Sequence, residues 1–115
     1  MTPSPVILTE EQVVARVSRL TATQLRVWIR EGWIVPAETD RGPCFDEADV
    51  ARINLVCQLR DDLGLDDSGL PVVLSLIDQI HGLRQELKAL AQAIEDEPAD
   101  VQQRIAEGLR RRTRP

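Results

Sequence analysis

The chain has 115 residues, a formal net charge of −5 at pH 7 and 3% aromatic residues, so it fits one small domain with an aliphatic core and a helical extension. Two cysteines, Cys44 and Cys57, imply no disulfide framework and suit a reducing cytosol. The first residues lack the features of a signal peptide, and no apolar run approaches the ~20 residues of a membrane span. We therefore expect a cytoplasmic protein without membrane association.

The first helix is predicted at about residues 10–16, behind a disordered lead at residues 1–8. Thr9 and Gln12 have the spacing of a capping box, in which each side chain bonds the backbone N–H of the other residue. Residues 17–20 then read as the turn of a helix-turn-helix.

The second helix starts at another capping-box pair, Thr21 and Gln24. Its apolar face includes Trp28, which we expect to be buried against helices 1 and 3. Gly32 is the expected stop, because glycine adopts the left-handed conformation that closes helices. Residues 33–36 are rich in β-prone side chains and predict a strand-like exit.

Residues 37–44 contain turn-forming residues, and we expect a small two-stranded wing near residues 34–45. A third helix is predicted from about residue 47 to residue 63, with Asp46 as its N-cap and Gly64 as its stop. Its apolar stripe ends at Leu63.

The run RVWIREGWIVP, a short linker and then FDEADVARINLVCQLRDDLGL resemble the helix-turn-helix domain of MerR-type regulators over roughly residues 8–65. The resemblance implies a mainly α fold: a winged helix-turn-helix domain with a small β wing, a long C-terminal helix and a short terminal helix. The wing departs from that family, because Pro43-Cys44 stands where aromatic and basic residues are expected. This departure weakens the case for DNA binding.

The long helix follows Asp66, Asp67 and Ser68, which are all competent caps. Apolar residues then recur at alternating spacings of three and four, as in a helix pair. This seam consists of Val73, Leu76, Ile80, Leu83, Leu87, Leu90 and Ile94. It is expected to meet its own domain, the last helix or a second copy in a homodimer.

A last short helix is predicted at residues 99–109, before an arginine-rich tail that reads as solvated. The predicted segments are a lead at 1–8, the helix-turn-helix domain at 9–65, the helical extension at 66–95, and the short helix with its tail at 96–115.

The length and the run LRDDLGLDDSGLPVVLSLIDQIHGLRQELKAL resemble the chaperone-modulator family CbpM. That family has a MerR-like fold and binds and inhibits a DnaJ-like co-chaperone, CbpA. The resemblance therefore implies that the partner is a J-domain.

Charge is uneven along the chain: residues 1–60 carry seven basic and eight acidic side chains, residues 61–100 two and ten, and residues 101–115 five and one. A dedicated DNA-binding domain usually shows a basic surface, whereas the helix-turn-helix segment is nearly neutral. The acidic middle reads either as a solvated face or as a surface for a basic partner.

Two functions follow. A CbpM-like modulator would use acidic residues for the J-domain: Asp61, Asp62, Asp66, Asp67 and Asp78. A MerR-family transcriptional regulator would instead contact DNA through a second set of residues, which is also the alternative partner surface. This set consists of Arg19, Arg26, Arg30, Trp33 and Arg41. One histidine and two distant cysteines give no zinc spacing and no nucleophile–base pair, so we expect no enzyme, metal or cofactor.

Overall fold

The computed structural model describes residues 7–114, so the predicted lead lies outside the described residues except at its last two positions. Within them the chain is mainly helical, with five helices and a small antiparallel sheet, which confirms the predicted fold class. The elements in chain order are β1 Leu8–Thr9, α1 Glu10–Arg16, α2 Ala22–Arg30, β2 Ala37–Thr39, β3 Gly42–Phe45, α3 Glu47–Asp61, α4 Gly69–Glu95 and α5 Ala99–Thr113.

The chain forms two compact units, one ending at Leu74 and the other starting at Ser75. The first unit contains the helix-turn-helix and the sheet. The second contains most of α4 and all of α5.

The first three helices begin at capping boxes. In α1 the Gln12 backbone N–H donates to Thr9 Oγ1 at 3.2 Å, and the Thr9 N–H donates to Gln12 Oε1 at 2.9 Å. Thr21 and Gln24 repeat the arrangement at α2. Asp46 and Asp49 repeat it at α3. Each box satisfies two backbone donors that a helix start leaves without intrahelical partners, so the predicted starts are confirmed.

Gly32 ends α2 as predicted, with φ at +80°. The Trp33 N–H donates to the Trp28 carbonyl at 2.9 Å and closes the helix. Helix α3 ends earlier than predicted, at Asp61 rather than Leu63, although Gly64 does adopt a positive φ of +68°. Leu63 therefore falls outside the apolar stripe and its surface is 69% exposed.

The sheet has three strands in the order β1-β3-β2, where two were predicted. Leu8 pairs with Phe45 because the chain enters α1 alongside the wing. A two-residue strand has no alternation for sequence patterning to detect. The predicted strand-like exit at residues 33–36 is also wrong: residues 33–34 form a bend, residues 35–36 have no regular structure, and β2 begins only at Ala37.

Aliphatic side chains from α1, α2, the wing, α3 and the start of α4 form the core of the first unit. Its fully buried members are Val13, Leu25, Ile34, Phe45, Ile53, Val56, Cys57 and Leu70. Trp28 is buried as predicted, with 5% of its surface exposed. The Arg60 guanidinium of α3 lies over its ring, 5.3 Å from the centroid. This contact joins the second helix of the helix-turn-helix to α3.

In the second unit, α5 runs to Thr113 and not to residue 109, so it includes three of the four tail arginines, which are exposed as predicted. The cations at positions 110–112 lie in its last turn, where they interact favourably with the helix dipole. Arg112 also donates from Nη1 to the Gly108 carbonyl at 3.0 Å. These interactions extend the helix beyond its apolar residues.

Candidate functional site

The last residue of α3 and the turn that follows it carry four of the five predicted acidic residues, and the structure pairs two of them with arginines. Arg19 Nη1 lies 3.1 Å from Asp62 Oδ1 and 3.7 Å from Asp61 Oδ2. Arg60 Nε lies 2.6 Å from Asp61 Oδ1, and this hydrogen bond lowers the pKa of the Asp61 carboxyl below its ordinary value. Arg19 had been assigned to the opposing surface, so the structure joins members of both candidate sets.

Asp66 is the cap of α4. Its Oδ1 accepts hydrogen bonds from the Ser68 hydroxyl at 2.7 Å and from the backbone N–H groups of Ser68 and Gly69 at 3.0 and 2.9 Å. These donors lower the pKa of the Asp66 carboxyl. Asp67 beside it is exposed, whereas Asp78 belongs to the second unit. The turn therefore groups Asp61, Asp62, Asp66 and Asp67, but not Asp78.

Two apolar side chains that sequence reasoning did not select lie at the same turn. Leu63 follows α3 and is 69% exposed, and Val72 in the first turn of α4 is 59% exposed. The pair of aspartates after Arg60 is the sequence feature that marks this place, since α3 ends between them. Leu63 is therefore outside the helix. We call Leu63, Val72 and the four aspartates the α3–α4 turn surface.

The predicted arginine surface is divided. Arg26 and Arg41 line a groove of about 750 Å³ between α1, α2 and the wing, together with Glu10 and Glu11. Arg26 Nε donates to Glu10 Oε1 at 2.9 Å, so this arginine is already paired with a carboxylate.

The other members of the arginine set do not line this groove. Arg30 is exposed at the end of α2 and makes no ion pair within residues 7–114. Trp33 is half-buried, and its carbonyl accepts a hydrogen bond from Arg52 Nε at 3.0 Å. The groove therefore unites Arg26 with Arg41 alone.

Arg16 adds a third cation that is held by a carboxylate of the first unit. Its guanidinium donates from both terminal nitrogens to Glu47, at 3.0 and 3.3 Å. Arg16, Arg19 and Arg26 thus all have acidic partners from the same unit. Three of the four arginines at residues 10–30 are therefore compensated within the first unit, and Arg30 is the fourth.

The cysteines do not suggest chemistry. Burial raises the pKa of the Cys57 thiol, which disfavours the reactive thiolate. Cys44 is half-buried on β3, with its sulfur 3.5 Å from Thr39 Oγ1. In the part of the chain that the structure describes, no cluster of three or more His, Cys, Asp or Glu residues could hold a metal ion.

The predicted seam lies on α4 and is open to solvent over its central part. Leu76, Ile80, Leu83, Leu87 and Leu90 are between 50% and 64% exposed, and Val73 and Ile94 at its ends are half-buried. We call the five central residues the α4 stripe.

No curated protein matches this sequence. None of the helices within residues 7–114 is long and apolar enough to cross a membrane. A family model described as "MerR HTH family regulatory protein" matches residues 11–92, which include the helix-turn-helix, the wing, α3 and most of α4. The match covers well over half of the sequence, and the chain therefore belongs to the MerR helix-turn-helix family of regulatory proteins.

Proposed function

We propose that this chain is a CbpM-like modulator that binds the J-domain of a DnaJ-like co-chaperone of the CbpA type and inhibits its activity. It would act by binding, in the cytoplasm, and not as an enzyme. The observation that carries the proposal is the pairing of three of the four helix-turn-helix arginines, Arg16, Arg19 and Arg26, with carboxylates of their own unit.

This neutralisation disfavours DNA as the partner. Binding to a duplex draws most of its electrostatic free energy from cations that replace condensed counterions at the phosphates. Asp62 beside Arg19 and Glu10 beside Arg26 offset the attraction of these two cations to a phosphate.

The α3–α4 turn surface has the composition that a basic, partly apolar helix requires. Its four aspartates exceed the two arginines paired with them, Arg19 and Arg60, so the turn keeps negative charge. Leu63 and Val72 add exposed apolar area, and protein interfaces combine apolar with polar surface. The partners of the CbpM family contain a J-domain, which presents a basic helix to its chaperone ATPase. The α3–α4 turn surface would compete with the ATPase for that helix.

DNA regulation is the second candidate, and two observations favour it. The family is one of helix-turn-helix regulators. In addition, Arg26 and Arg41 line one groove beside α2, the helix that would enter the major groove of DNA.

Kinetics on purified components test the proposal. The J-domain of the DnaJ-like co-chaperone from the same genome is immobilised, and the wild-type chain is compared with Leu63→Ser/Val72→Ser. Since apolar residues at an interface centre mainly determine dissociation, the double variant should dissociate at least tenfold faster. Val35→Ser is the matched control, because Val35 is 77% exposed on the same unit but lies next to the wing.

Two results would reject the proposal. One is the absence of J-domain binding by the folded wild-type chain. The other is sequence-selective duplex binding at physiological salt that Arg26→Ala/Arg41→Ala abolishes, which would establish the DNA-binding alternative.

A further inference from the structure

We propose that one face of α5 docks an acidic, aliphatic helix of a partner protein. This contact goes beyond the proposed J-domain binding and uses no residue of the α3–α4 turn surface. A groove of about 480 Å³ follows the face, and every residue that lines it belongs to α5. We call the lining residues the α5 face: Val101, Arg104, Ile105, Gly108, Leu109, Arg111 and Arg112.

The apolar residues of the α5 face form one ridge. Val101, Ile105 and Leu109 are four residues apart along the helix, which is the spacing of the ridges that interdigitate when two helices pack. Ile105 is 38% exposed and Leu109 is 59% exposed, although α4 belongs to the same unit. The ridge is therefore open to a second helix.

The cations of the α5 face have no acidic partner, in contrast to the paired arginines of the helix-turn-helix. Arg104, Arg111 and Arg112 make no ion pair within residues 7–114. Asp100 and Glu107 stand four residues before Arg104 and Arg111, but neither bonds that arginine and neither lines the groove. The face thus has three positive charges and needs carboxylates from another molecule.

Gly108 brings two of these cations close to the ridge. Side chains of a helix point toward its N-terminus, so Arg111 and Arg112 extend back over Gly108, which has no side chain and is buried beneath them. Arg112 donates from Nη1 to the Gly108 carbonyl at 3.0 Å. This bond holds the guanidinium against the α5 face, and a neutral carbonyl leaves its charge available to a carboxylate.

The spacing of the cations specifies the partner further. Arg104 and Arg111 are seven residues apart, which is about 10.5 Å along a helix. A partner helix aligned with α5 would match them with two carboxylates that are also seven residues apart. Aliphatic residues between those carboxylates would pack on Ile105 and Leu109. Charged pairs beside an apolar seam determine partner choice in paired helices, and this arrangement would do the same.

Other classes of partner match the α5 face less well. A helix that binds a bilayer needs a broad apolar face, whereas the ridge has three aliphatic residues and no aromatic residue. Nucleic acid phosphates would use the cations but leave the ridge in water. A second copy does not fit either: among the helices of residues 7–114, the only acids seven residues apart are Asp100 and Glu107, and Gln103 and Arg104 lie between them on that side.

Fluorescence anisotropy of the full chain with labelled peptides tests the proposal. The probe is an alanine-rich helical peptide in which two glutamates seven residues apart enclose two leucines four residues apart, and the matched probe has glutamine in place of each glutamate. At physiological salt the glutamate peptide should bind saturably at high micromolar concentration. The glutamine peptide should bind at least roughly fivefold more weakly, since it loses two exposed ion pairs.

Variants of α5 locate the binding. Arg104→Gln/Arg111→Gln should weaken binding of the glutamate peptide by the same factor. Arg110→Gln/Arg114→Gln removes the same charge from residues that do not line the groove, so it should bind like wild type. Circular dichroism reports the helicity of each variant.

The aliphatic ridge has its own matched pair of variants. Leu109→Gln should weaken binding of the glutamate peptide, because Leu109 packs on the leucines of the probe. Leu83→Gln should not, since Leu83 lies on the α4 stripe and is 58% exposed, nearly as much as Leu109. Equal loss of binding in both variants would place the peptide elsewhere and overturn the proposal.

The comparison of the two peptides on the wild-type chain remains decisive if a variant loses helicity. Equal affinity for the glutamate and glutamine peptides, or no saturable binding of either, would overturn the proposal. Tighter binding to phosphatidylglycerol vesicles or to duplex DNA than to the glutamate peptide, lost in Arg104→Gln/Arg111→Gln, would also overturn it and identify the face as a lipid or nucleic acid site.

Discussion

Arg19→Gln separates the two candidate functions, because they predict effects of opposite sign. Arg19 bonds Asp62 and lies 3.7 Å from Asp61, so the substitution removes a cation from the α3–α4 turn surface. If that surface attracts a basic J-domain helix, association becomes faster. If Arg19 instead contacts DNA phosphates, binding to DNA becomes weaker.

The size of the effect follows from the local charges. Arg19 and Arg60 with Asp61, Asp62, Asp66 and Asp67 sum to −2, and Gln at position 19 makes the sum −3. One added charge interacts with a unit charge at a distance of about 10 Å in water by about 0.4 kcal/mol before screening. This energy corresponds to roughly a twofold faster association rate at low salt, and the difference should vanish near 1 M salt, where the Debye length is about 3 Å.

Surface-plasmon kinetics on the immobilised J-domain, at low and high salt, measure this change. Arg84→Gln is the control, since it removes the same charge from α4 in the second unit. For DNA, fluorescence anisotropy with a labelled duplex should show no loss of affinity in Arg19→Gln. Slower association of Arg19→Gln with the J-domain would refute the reasoning. So would a weaker salt dependence of DNA binding in this variant, by the amount expected for the loss of about one phosphate contact.

Two further predictions concern the fold itself. Gly32→Ala should destabilise the first unit by about 1–2 kcal/mol in urea denaturation, because residue 32 has a φ of +80° that a side chain with a Cβ disfavours. Gly82→Ala should stabilise α4 by about 0.5–1 kcal/mol, because alanine favours the helical backbone and its Cβ would meet no atom within 4 Å. Equal effects of the same sign in the two variants would contradict both predictions. Asp66→Asn should reduce the acid sensitivity of folding, because hydrogen bonds lower the pKa of the Asp66 carboxyl in the folded state. The carboxylate therefore stabilises the fold fully above its ordinary pKa of 3.8, and this stabilisation is lost as the pH falls through the lower pKa of the folded state. Urea midpoints above and below pH 3.8 should therefore differ less in Asp66→Asn than in wild type, and an unchanged difference would show that the cap does not contribute.

Features determined by neighbouring residues could be predicted from the sequence. The capping boxes at Thr9 and Thr21 connect residues three apart, and Gly32 ends a helix through its own backbone conformation. The alternating apolar spacing of α4 is equally local. These signals need no knowledge of the tertiary structure, and the first four helix starts were predicted from them.

Features that join distant residues could not be predicted in this way. The pairing of Leu8 with Phe45, the bond from Arg16 to Glu47 and the bond from Arg19 to Asp62 each connect residues more than 30 positions apart. Such pairs depend on how the helices pack, and sequence patterning does not report it. Consequently the charged residues of the site could be selected from the sequence, but the ion pairs between them could not be predicted.

The exposure of Leu63 shows the same limit on a smaller scale. Apolar periodicity placed this residue on the buried stripe of α3, but the helix ends at Asp61 and leaves the side chain in solvent. Helix ends are the least certain part of a sequence-based assignment, and an error of two residues is enough to move a leucine from core to surface. For this chain the error concerned a residue of the proposed partner surface.

The stimulated ATPase of the partner chaperone tests the central claim most directly. The DnaJ-like co-chaperone and its chaperone ATPase are held at fixed concentrations, and the full chain is titrated into the reaction. The proposed function predicts that hydrolysis falls to the rate of the chaperone without co-chaperone, and that Leu63→Ser/Val72→Ser needs at least tenfold more protein for the same inhibition while Val35→Ser behaves as wild type. Stimulated hydrolysis that persists at saturating concentrations of the folded chain would contradict the account.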